Sequence, residues 1–207
     1  MADERTLSHY QAHFKEYASE YIDALVSVQQ RLILDHFHAK GLTLDVGCAS
    51  GRDLLWLSAQ DYKVEGLDAV EGFVETCRER LPNTQIHHDR LPELPKLLGS
   101  SNQALFESRY DNLLVSATLM HLPIAEQSLA ISKLKSLLRP GGRMLVSVRR
   151  SRSETGEREG ERLFTVLSAQ DLIHFGKAAD LKVLFSEERG SDEQGKHWVT
   201  VVFERRE

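Results

Sequence analysis

The 207-residue sequence is poor in cysteine and has no long apolar run. Its two cysteines, Cys48 and Cys77, lack metal-ligand spacing and are too few for a disulfide framework, so we expect a reducing, cytoplasmic setting. No apolar run approaches the roughly 20 residues that a membrane-spanning helix needs, and residues 1–5 do not have the pattern of a signal peptide. We therefore expect no association with a membrane.

An excess of basic charge is also absent, because the net charge is −5. Nucleic-acid-binding domains are commonly basic, so a nucleic-acid partner is disfavoured, although local basic patches are compatible with this charge. The 41% hydrophobic and 28% charged residues are ordinary for a globular protein. The length suits one domain, and no internal repeat or linker divides the chain.

The most informative stretch is residues 42–55. A short apolar run with β-branched Thr43 and Val46 leads into Gly47 and Gly51, and a helical pattern follows. The pattern predicts a strand, a tight turn and a helix, with glycines where the backbone must turn sharply and approach a ligand closely. At the carboxyl end of a strand, such a turn is the usual ligand-binding place of an open α/β sheet.

Three interpretations compete for this turn. A dinucleotide site of the G-x-G-x-x-G type needs glycine at positions 47, 49 and 52, but Ala49 and Arg52 occupy two of these positions. A phosphate loop ending in Gly-Lys-Ser/Thr is missing too. A nucleoside site without phosphates and a purely structural turn are the other two interpretations.

The stretch resembles the S-adenosylmethionine (SAM) loop of class I methyltransferases, written acidic-x-Gly-x-Gly-x-Gly. Asp45, Gly47 and Gly51 match, and Ala49 replaces the middle glycine, which we expect to tighten the pocket slightly. The resemblance implies that SAM lies against this loop. Asp45 would contact the SAM amino group or only brace the loop, and the neighbouring residues Cys48 and Arg52 would also contact the cofactor.

Two further acids follow predicted strands. Asp68 ends the second strand, where a carboxylate can accept hydrogen bonds from both hydroxyls of a ribose, although an Asp there could instead cap the next helix. Asp89 follows the short third strand, where the resemblance implies a contact with the adenine amino group. The same resemblance adds three neighbours as cofactor contacts: Ala69, Arg90 and Leu91. His87 and His88 are adjacent on a strand and point to opposite faces, so we expect no metal site.

The fourth strand, residues 110–116, has the apolar run of a central parallel strand buried on both faces. In the family that the chain resembles, small residues here, Ser116 and Ala117, close against SAM. A His-Leu-Pro turn follows, and Leu-Leu-Arg-Pro-Gly-Gly at residues 137–142 precedes strand five. We expect His121 to be the general base or to contact the acceptor; it could instead orient the turn or pack on the lid.

Residues 6–40 have helical periodicity. The resemblance implies a lid over SAM, with Tyr17 and Tyr21 on the cofactor and Tyr10 on the acceptor, although a helix packed on the sheet edge would look the same. Residues 149–162 have no apolar periodicity and predict a long surface loop. This loop is either a solvated insertion or a flap whose Arg149 or Arg162 binds an anionic group of the acceptor.

The last two predicted strands, residues 182–188 and 198–205, form an antiparallel hairpin, which is typical of class I methyltransferases. We expect an α/β, Rossmann-like seven-stranded sheet in the order 3-2-1-4-5-7-6, with strand 7 antiparallel and helices on both faces. Residues 1–207 would form a single domain, with a helical lid at residues 1–40 and a catalytic core at residues 41–207.

The resemblance implies a methyltransferase that converts SAM to S-adenosylhomocysteine (SAH). The compact size favours a small-molecule acceptor. A transfer-RNA-modifying methyltransferase and a SAM-binding regulatory module without catalysis are the alternatives. We expect a monomer or a homodimer, and the missing Asn-Pro-Pro-Tyr sequence after strand four argues against methylation of base amino groups.

Overall fold

The computed structural model describes residues 3–22, 27–149, 158–165, 167–190 and 197–207. In these residues the helices are α1 (Glu4–Ile22), α2 (Ser27–His36), α3 (Arg52–Ala59), α4 (Glu71–Arg80), α5 (Gln103–Phe106), α6 (Ile124–Leu137) and α7 (Ala169–Ala178). The strands are β1 (Leu42–Val46), β2 (Lys63–Asp68), β3 (Gln85–His88), β4 (Tyr110–Ser116), β5 (Leu138–Arg149), β6 (Arg158–Glu159), β7 (Arg162–Leu163), β8 (Leu181–Arg189) and β9 (Trp198–Arg205). A short 3₁₀ helix, Leu119–His121, precedes α6.

The main sheet has seven strands in the order β3-β2-β1-β4-β5-β9-β8. The first five strands are parallel, and β9 runs antiparallel to both β5 and β8. Because β8 and β9 are the sixth and seventh strands of this sheet along the chain, the predicted order 3-2-1-4-5-7-6 is confirmed. The two residues of β6 pair with the two residues of β7 outside the sheet.

The sheet lies between two helical layers because its central strands are apolar on both faces. In β4, Leu113 and Leu114 are both fully buried but belong to different clusters. Leu113 packs in the cluster that contains residues of α6 and α7, and Leu114 packs with residues of α2 and α3. This arrangement leaves the carboxyl ends of β1, β2 and β4 at one edge of the sheet, where a ligand can approach.

The N-terminal segment differs from the predicted single helix over residues 6–40. It contains two helices, α1 and α2, and residues 23–26 between them lie outside the described residues. The helices pack on different partners: Phe14 of α1 packs against Phe73 of α4, whereas Ile33 of α2 is buried in the cluster on the sheet. Since α2 ends at His36, Gly41 is too far along the chain to be its C-cap.

Two other boundaries depart from expectation. Strand β5 begins at Leu138, five residues before the predicted start, and a register shift between Tyr110 and Asn112 of β4 accommodates the extra length. The predicted surface loop over residues 149–162 includes the short β6–β7 hairpin, which turns at Gly160 with φ +62°. Residues 150–157 of that loop and most of the 190–196 turn lie outside the described residues. No helix in the described segments has the length and apolar character required to cross a membrane.

Candidate functional site

A cavity of about 1300 Å³ opens at the carboxyl ends of β1, β2 and β4, beneath α1 and β7. Small-molecule sites commonly have about 300–1,000 Å³, so this cavity has room for a nucleoside cofactor together with a second small molecule. Of the predicted site residues, all except Asp45 and Gly51 line it. Those that do are Tyr10, Tyr17, Tyr21, Gly47, Cys48, Ala49, Arg52, Asp68, Ala69, Asp89, Arg90, Leu91, Ser116, Ala117, His121, Arg149 and Arg162.

The turn after β1 needs glycine for steric reasons. Gly47 has φ +79°, and a Cβ atom there would overlap the side chain of Thr118. Gly51 has φ +80° and immediately precedes α3. The amides of Gly47 and Cys48 both donate to the Leu67 carbonyl, at 2.7 and 3.0 Å, which ties the turn to β2.

Ala49, in place of the middle glycine, also has a left-handed backbone, with φ +44°. Its amide donates to Asp68 Oδ2 at 2.9 Å, and its carbonyl accepts from Cys77 Sγ at 3.0 Å. These bonds on both sides hold the alanine in a conformation that L residues disfavour. The Cys48 thiol lies 3.8 Å from that of Cys77, and this contact together with burial raises the pKa of Cys48.

Asp68 lines the cavity, and backbone amides hold its carboxylate in place. Its Oδ1 accepts from the Val70 amide and its Oδ2 accepts from the Ala49 amide, each at 2.9 Å. The Ala69 amide is a third backbone donor to this carboxylate. Because each carboxylate oxygen can accept two hydrogen bonds, the group still has capacity for a hydroxyl. Burial raises the pKa of Asp68, while the backbone N–H groups act to lower it. The N-cap residue of α4 is Val70, so the helix-capping alternative for Asp68 is not supported.

Asp45 lies behind the turn and does not line the cavity. It is buried, and its pKa is raised first by burial and then by the nearby Asp53 carboxylate, with Arg52 opposing. This position favours bracing of the loop over contact with SAM. The neighbouring Asp53 accepts from Arg52 Nη2 at 2.8 Å and from Gln29 Nε2 at 3.1 Å.

The Asp89 carboxylate already accepts hydrogen bonds from backbone amides of the residues that follow it. Its Oδ1 accepts from the Arg90 amide, and its Oδ2 accepts from the amides of Lys96 and Leu97, all at 2.9 Å. An adenine amino group would have to share Oδ1 with Arg90. The predicted adenine contact therefore stays a prediction, and the structure adds a clear role for Asp89 in shaping residues 89–97.

His121 is held at both ring nitrogens. Its Nδ1 lies 2.6 Å from the Leu163 carbonyl, which can only accept, so Nδ1 carries the proton and Nε2 accepts from the Tyr10 hydroxyl at 3.1 Å. Burial lowers the pKa of His121 to about 4. A general base works best with a pKa near the working pH, so these contacts fit a positioning role better than proton abstraction. The catalytic role of His121 stays a prediction.

The part of the cavity between α1 and β7 is aromatic and cationic. Arg149 binds Glu159 through two bonds of 3.0 and 2.7 Å and stacks 4.1 Å from the Phe164 ring centre. Arg162 lies 5.8 Å from the ring centre of Tyr10 and 5.2 Å from that of Phe164. The two arginines named as alternatives by the sequence are thus neighbours, but among the residues that the structure describes only Arg149 has a short ion pair.

Several cavity residues were not predicted from the sequence. Gln29 lines the cavity and links two elements, since it donates to Asp53 and its Oε1 accepts from the Ser116 hydroxyl at 2.6 Å. Glu159 belongs to residues 149–162, which have no apolar periodicity, and Phe164 lies just after them. The sequence offered one signal for a further cavity residue. Asp53 is an acid in the first turn of α3 and directly follows the predicted cofactor residue Arg52.

His87 and His88, the candidate metal ligands, have separate partners. His87 Nε2 lies 3.1 Å from Glu65 Oε2, and His88 Nε2 lies 3.2 Å from the Ala69 carbonyl. They therefore point to different surroundings, as expected for neighbours on a strand.

Comparison with known families agrees with this geometry. Residues 44–144 match a family model described as a methyltransferase domain. The match contains the glycine turn, Asp68, Asp89 and β4, and the strand order of the whole sheet is that of class I enzymes. The matched segment, a little under half of the chain, resembles a class I SAM-dependent methyltransferase domain, and SAM is the cofactor of that class.

Two curated relatives match part of the chain. A SAM-dependent Diels-Alderase, iccD, from Talaromyces variabilis is 28% identical over 126 residues, covering 60% of this chain and 42% of the relative. An uncharacterized methyltransferase from Alkaliphilus oremlandii is 23% identical over 120 residues, covering 58% of this chain and 51% of the relative. The chain thus spans about half the length of the curated relatives that it matches.

Solved structures share the fold over nearly the whole chain. The Burkholderia thailandensis 1,6-didemethyltoxoflavin-N1-methyltransferase, solved with 1,6-didemethyltoxoflavin and SAH, has a TM-score of 0.75 at 19% identity, covering 99% of this chain and 88% of that one. The [4+2]-cyclase SpnF has a TM-score of 0.73 at 14% identity, with 99% and 96% coverage. The N-methyltransferase NodS of Bradyrhizobium japonicum, solved with SAH, has a TM-score of 0.65 at 17% identity, with 87% and 85% coverage.

Proposed function

We propose that this protein transfers a methyl group from SAM to a small-molecule acceptor. One observation carries the proposal: a single cavity joins the Gly47–Gly51 turn and Asp68 to a second group of residues around Tyr10 and Arg162. The first part has the donors and acceptors that a nucleoside needs. The second part offers aromatic rings and a cation to another molecule.

The residues of the first part fit the cofactor group by group. Asp68 would accept from the ribose hydroxyls, and the turn would approach the cofactor through backbone atoms. Ala69, Arg90 and Leu91 would surround the adenine, and Arg52 with Gln29 would lie at the amino-acid end. In the proposed organisation, residues 1–40 form the lid and residues 41–207 the catalytic core.

When bound, SAM supplies a methyl group that its sulfonium already activates. The protein's own contribution is then to hold the acceptor in line with that methyl group and to exclude water. Ser116 and Ala117 would press against the cofactor, and Tyr10 would hold the acceptor side of the cavity. His121 would orient Tyr10 through the 3.1 Å contact, so an acceptor that ionises readily or is a neutral amine suits this site.

The small-molecule acceptor is favoured over transfer RNA by the net charge of −5. Neutralising several phosphates requires a basic surface, and acidic residues also line the cavity. The proposal includes a monomer or homodimer without a metal ion. A cytoplasmic location belongs to it as well, supported by the free thiols of Cys48 and Cys77.

A transfer assay with isotope-labelled SAM tests the proposal. Phenols, amines, carboxylic acids and thiols would be offered in parallel with bulk transfer RNA, and formation of SAH would be followed by mass spectrometry. We expect SAH only with a small-molecule class, loss of turnover in Asp68→Ala, and normal turnover in Asp61→Ala, an exposed acid of the same size. Methylation of transfer RNA alone would contradict the small-molecule assignment.

A second candidate function is ring closure with SAM as a bound but unconsumed cofactor. It is favoured by the similarity to the Diels-Alderase iccD and by the likeness to the cyclase SpnF. The same assay separates the two functions, because a cyclase converts its substrate without producing SAH. Substrate loss at constant SAM would therefore replace the first proposal by the second.

A further inference from the structure

Arg162 differs from the other arginines of the cavity in its ion pairing. Arg52, Arg90, Arg149 and Arg189 each lie within 3.0 Å of a carboxylate oxygen, from Asp53, Glu4, Glu159 and Glu187 respectively. Among the residues that the structure describes, the carboxylate oxygen nearest to Arg162 belongs to Glu159 and is 4.0 Å away. Within the described part of the chain, Arg162 is therefore a cation without a close counter-ion.

The burial of Arg162 makes this lack costly. Its side chain is 21% exposed, and a partly buried charge is unfavourable unless it is paired or hydrogen-bonded. Its hydrogen bond to the Tyr10 hydroxyl is long, at 3.5 Å. Three aromatic rings surround the guanidinium, with centres 5.2–5.8 Å away: Tyr10, Tyr17 and Phe164.

Glu159 gives Arg162 only the long ion pair of 4.0 Å, because the carboxylate is held more closely by Arg149 through two bonds. Arg149 in turn stacks on Phe164, 4.1 Å from its ring centre. The Arg149–Glu159 pair thus leaves the N–H groups of Arg162 available to a ligand that enters the cavity.

We propose that Arg162 binds an anionic group of the methyl acceptor, and that the acceptor is a flat aromatic acid. A guanidinium presents two parallel N–H groups that match a carboxylate. The rings of Tyr10, Tyr17 and Phe164 offer faces and edges to an aromatic molecule. This inference rests on the proposed transfer to a small molecule and names the class of that molecule.

The cofactor carboxylate is the competing anion for Arg162. The cofactor carboxylate is the less favourable ligand for Arg162, because Arg162 lies beside Tyr10 and Phe164. The arginine at the glycine turn is Arg52, which directly follows Gly51. An experiment on this proposal must therefore measure cofactor binding and acid binding separately.

Calorimetric titration with two matched pairs of probes tests the inference. The pairs are 4-hydroxybenzoate with 4-hydroxybenzamide and 1-hydroxy-2-naphthoate with its amide, each titrated into protein with and without saturating SAH. The members of a pair differ in charge and hardly in shape. Arg162→Gln removes the charge, and Arg162→Lys keeps the charge without the two parallel N–H groups of a guanidinium. Arg31→Gln, at an exposed arginine of α2, is the control.

For at least one pair, the wild type is expected to bind the acid about 10-fold more tightly than the amide, the size of one charge-assisted hydrogen-bonded contact. The preference should fall to about 2-fold or less in Arg162→Gln, lie between these values in Arg162→Lys, and stay unchanged in Arg31→Gln. SAH affinity should be the same in all four proteins.

Three results would overturn the inference: no preference for the acid in the wild type, a preference that survives in Arg162→Gln, or a specific loss of SAH binding in Arg162→Gln. The last would assign Arg162 to the cofactor carboxylate. If the wild type itself fails to bind SAH, the proposed function fails instead, and the titrations without SAH still decide the role of Arg162.

Discussion

At the scale of single residues, Ala49 carries a conformational cost that the matching glycine would avoid. A left-handed backbone costs an L residue about 1–2 kcal/mol. Replacing alanine by glycine also gives the unfolded chain more conformational entropy, which lowers the free energy of the unfolded state by about 0.4–1 kcal/mol. We expect Ala49→Gly, at φ +44°, to raise the free energy of unfolding by about 0.5 kcal/mol, measured by urea denaturation.

A matched substitution in a helix should have the opposite sign. Ala125 is exposed in the first turn of α6, where glycine costs about 0.5–1 kcal/mol relative to alanine. If Ala49→Gly destabilised the protein as much as Ala125→Gly, the left-handed conformation of the turn would be contradicted.

His121 should make stability depend on pH. Its pKa is about 4 in the folded protein, and about 6.5 is normal in the unfolded chain. The unfolded state therefore takes up a proton first as the pH falls, and stability is lost between pH 6.5 and 4. We expect His121→Asn, which can still donate to the Leu163 carbonyl, to reduce this loss by about 2–3 kcal/mol, measured by urea denaturation at each pH.

The comparison of His121→Asn with the wild type isolates the contribution of His121 to the pH dependence of stability. Asp3 and Glu65 have pKa values near 2, so their contributions are lost mainly below pH 4. His9, whose pKa is also lowered by burial, is common to both proteins and cancels. His174→Asn, at an exposed position, should leave the pH dependence unchanged; equal curves for wild type and His121→Asn would contradict the burial of the ring.

At the scale of elements, the start of α1 is fastened to the β6–β7 hairpin over the cavity. Asp3 receives two bonds from Arg158, at 3.0 and 2.6 Å. The Thr6 hydroxyl donates to Asp3 and accepts from the Leu163 amide at 2.8 Å. The start of α1 and the hairpin are thus linked by hydrogen bonds, and Thr6, which is buried, is the centre of the contact.

Thr6→Val should loosen this contact without disturbing the sheet. The substitution removes the hydroxyl and leaves the Leu163 amide without its acceptor, at a cost of about 1–3 kcal/mol. Hydrogen–deuterium exchange should become faster in α1 and in residues 158–165 and stay unchanged in β4 and β5.

Thr84→Val serves as the control for the contact between α1 and the hairpin, because Thr84 lies between α4 and β3, far from α1 in the chain, and is only partly buried. Exchange in α1 should be the same in this variant and in the wild type. Faster exchange throughout the sheet of Thr6→Val would show instead that the contact between α1 and the hairpin supports the whole fold.

The order of the elements was predictable because it follows from local patterns. Apolar strands alternating with helical segments predict a parallel sheet, and a polar turn between two final strands predicts the antiparallel ending. The break between α1 and α2, the early start of β5 and the β6–β7 hairpin were not predictable, since each depends on packing between distant parts of the chain. Gly160 turns the hairpin, but two-residue strands have no detectable periodicity.

At the scale of the whole molecule, the cavity is assembled from segments far apart in the sequence. Residues that follow β1, β2, β3 and β4 were predictable as neighbours, because parallel strands bring their carboxyl ends to one edge. Gln29 and Phe164 were not, because a glutamine and a phenylalanine carry no motif of their own. Asp45 matched the family pattern and still lies behind the turn rather than in the cavity.

The central claim is that this cavity binds the SAM nucleoside through Asp68. Calorimetric titration with SAH should show micromolar binding to the wild type and to Asp61→Ala, and at least about 10-fold weaker binding to Asp68→Ala and Asp68→Asn. Thermal unfolding of each variant would establish that it is folded. Absence of binding to the wild type, or unchanged affinity in a folded Asp68 variant, would contradict the account.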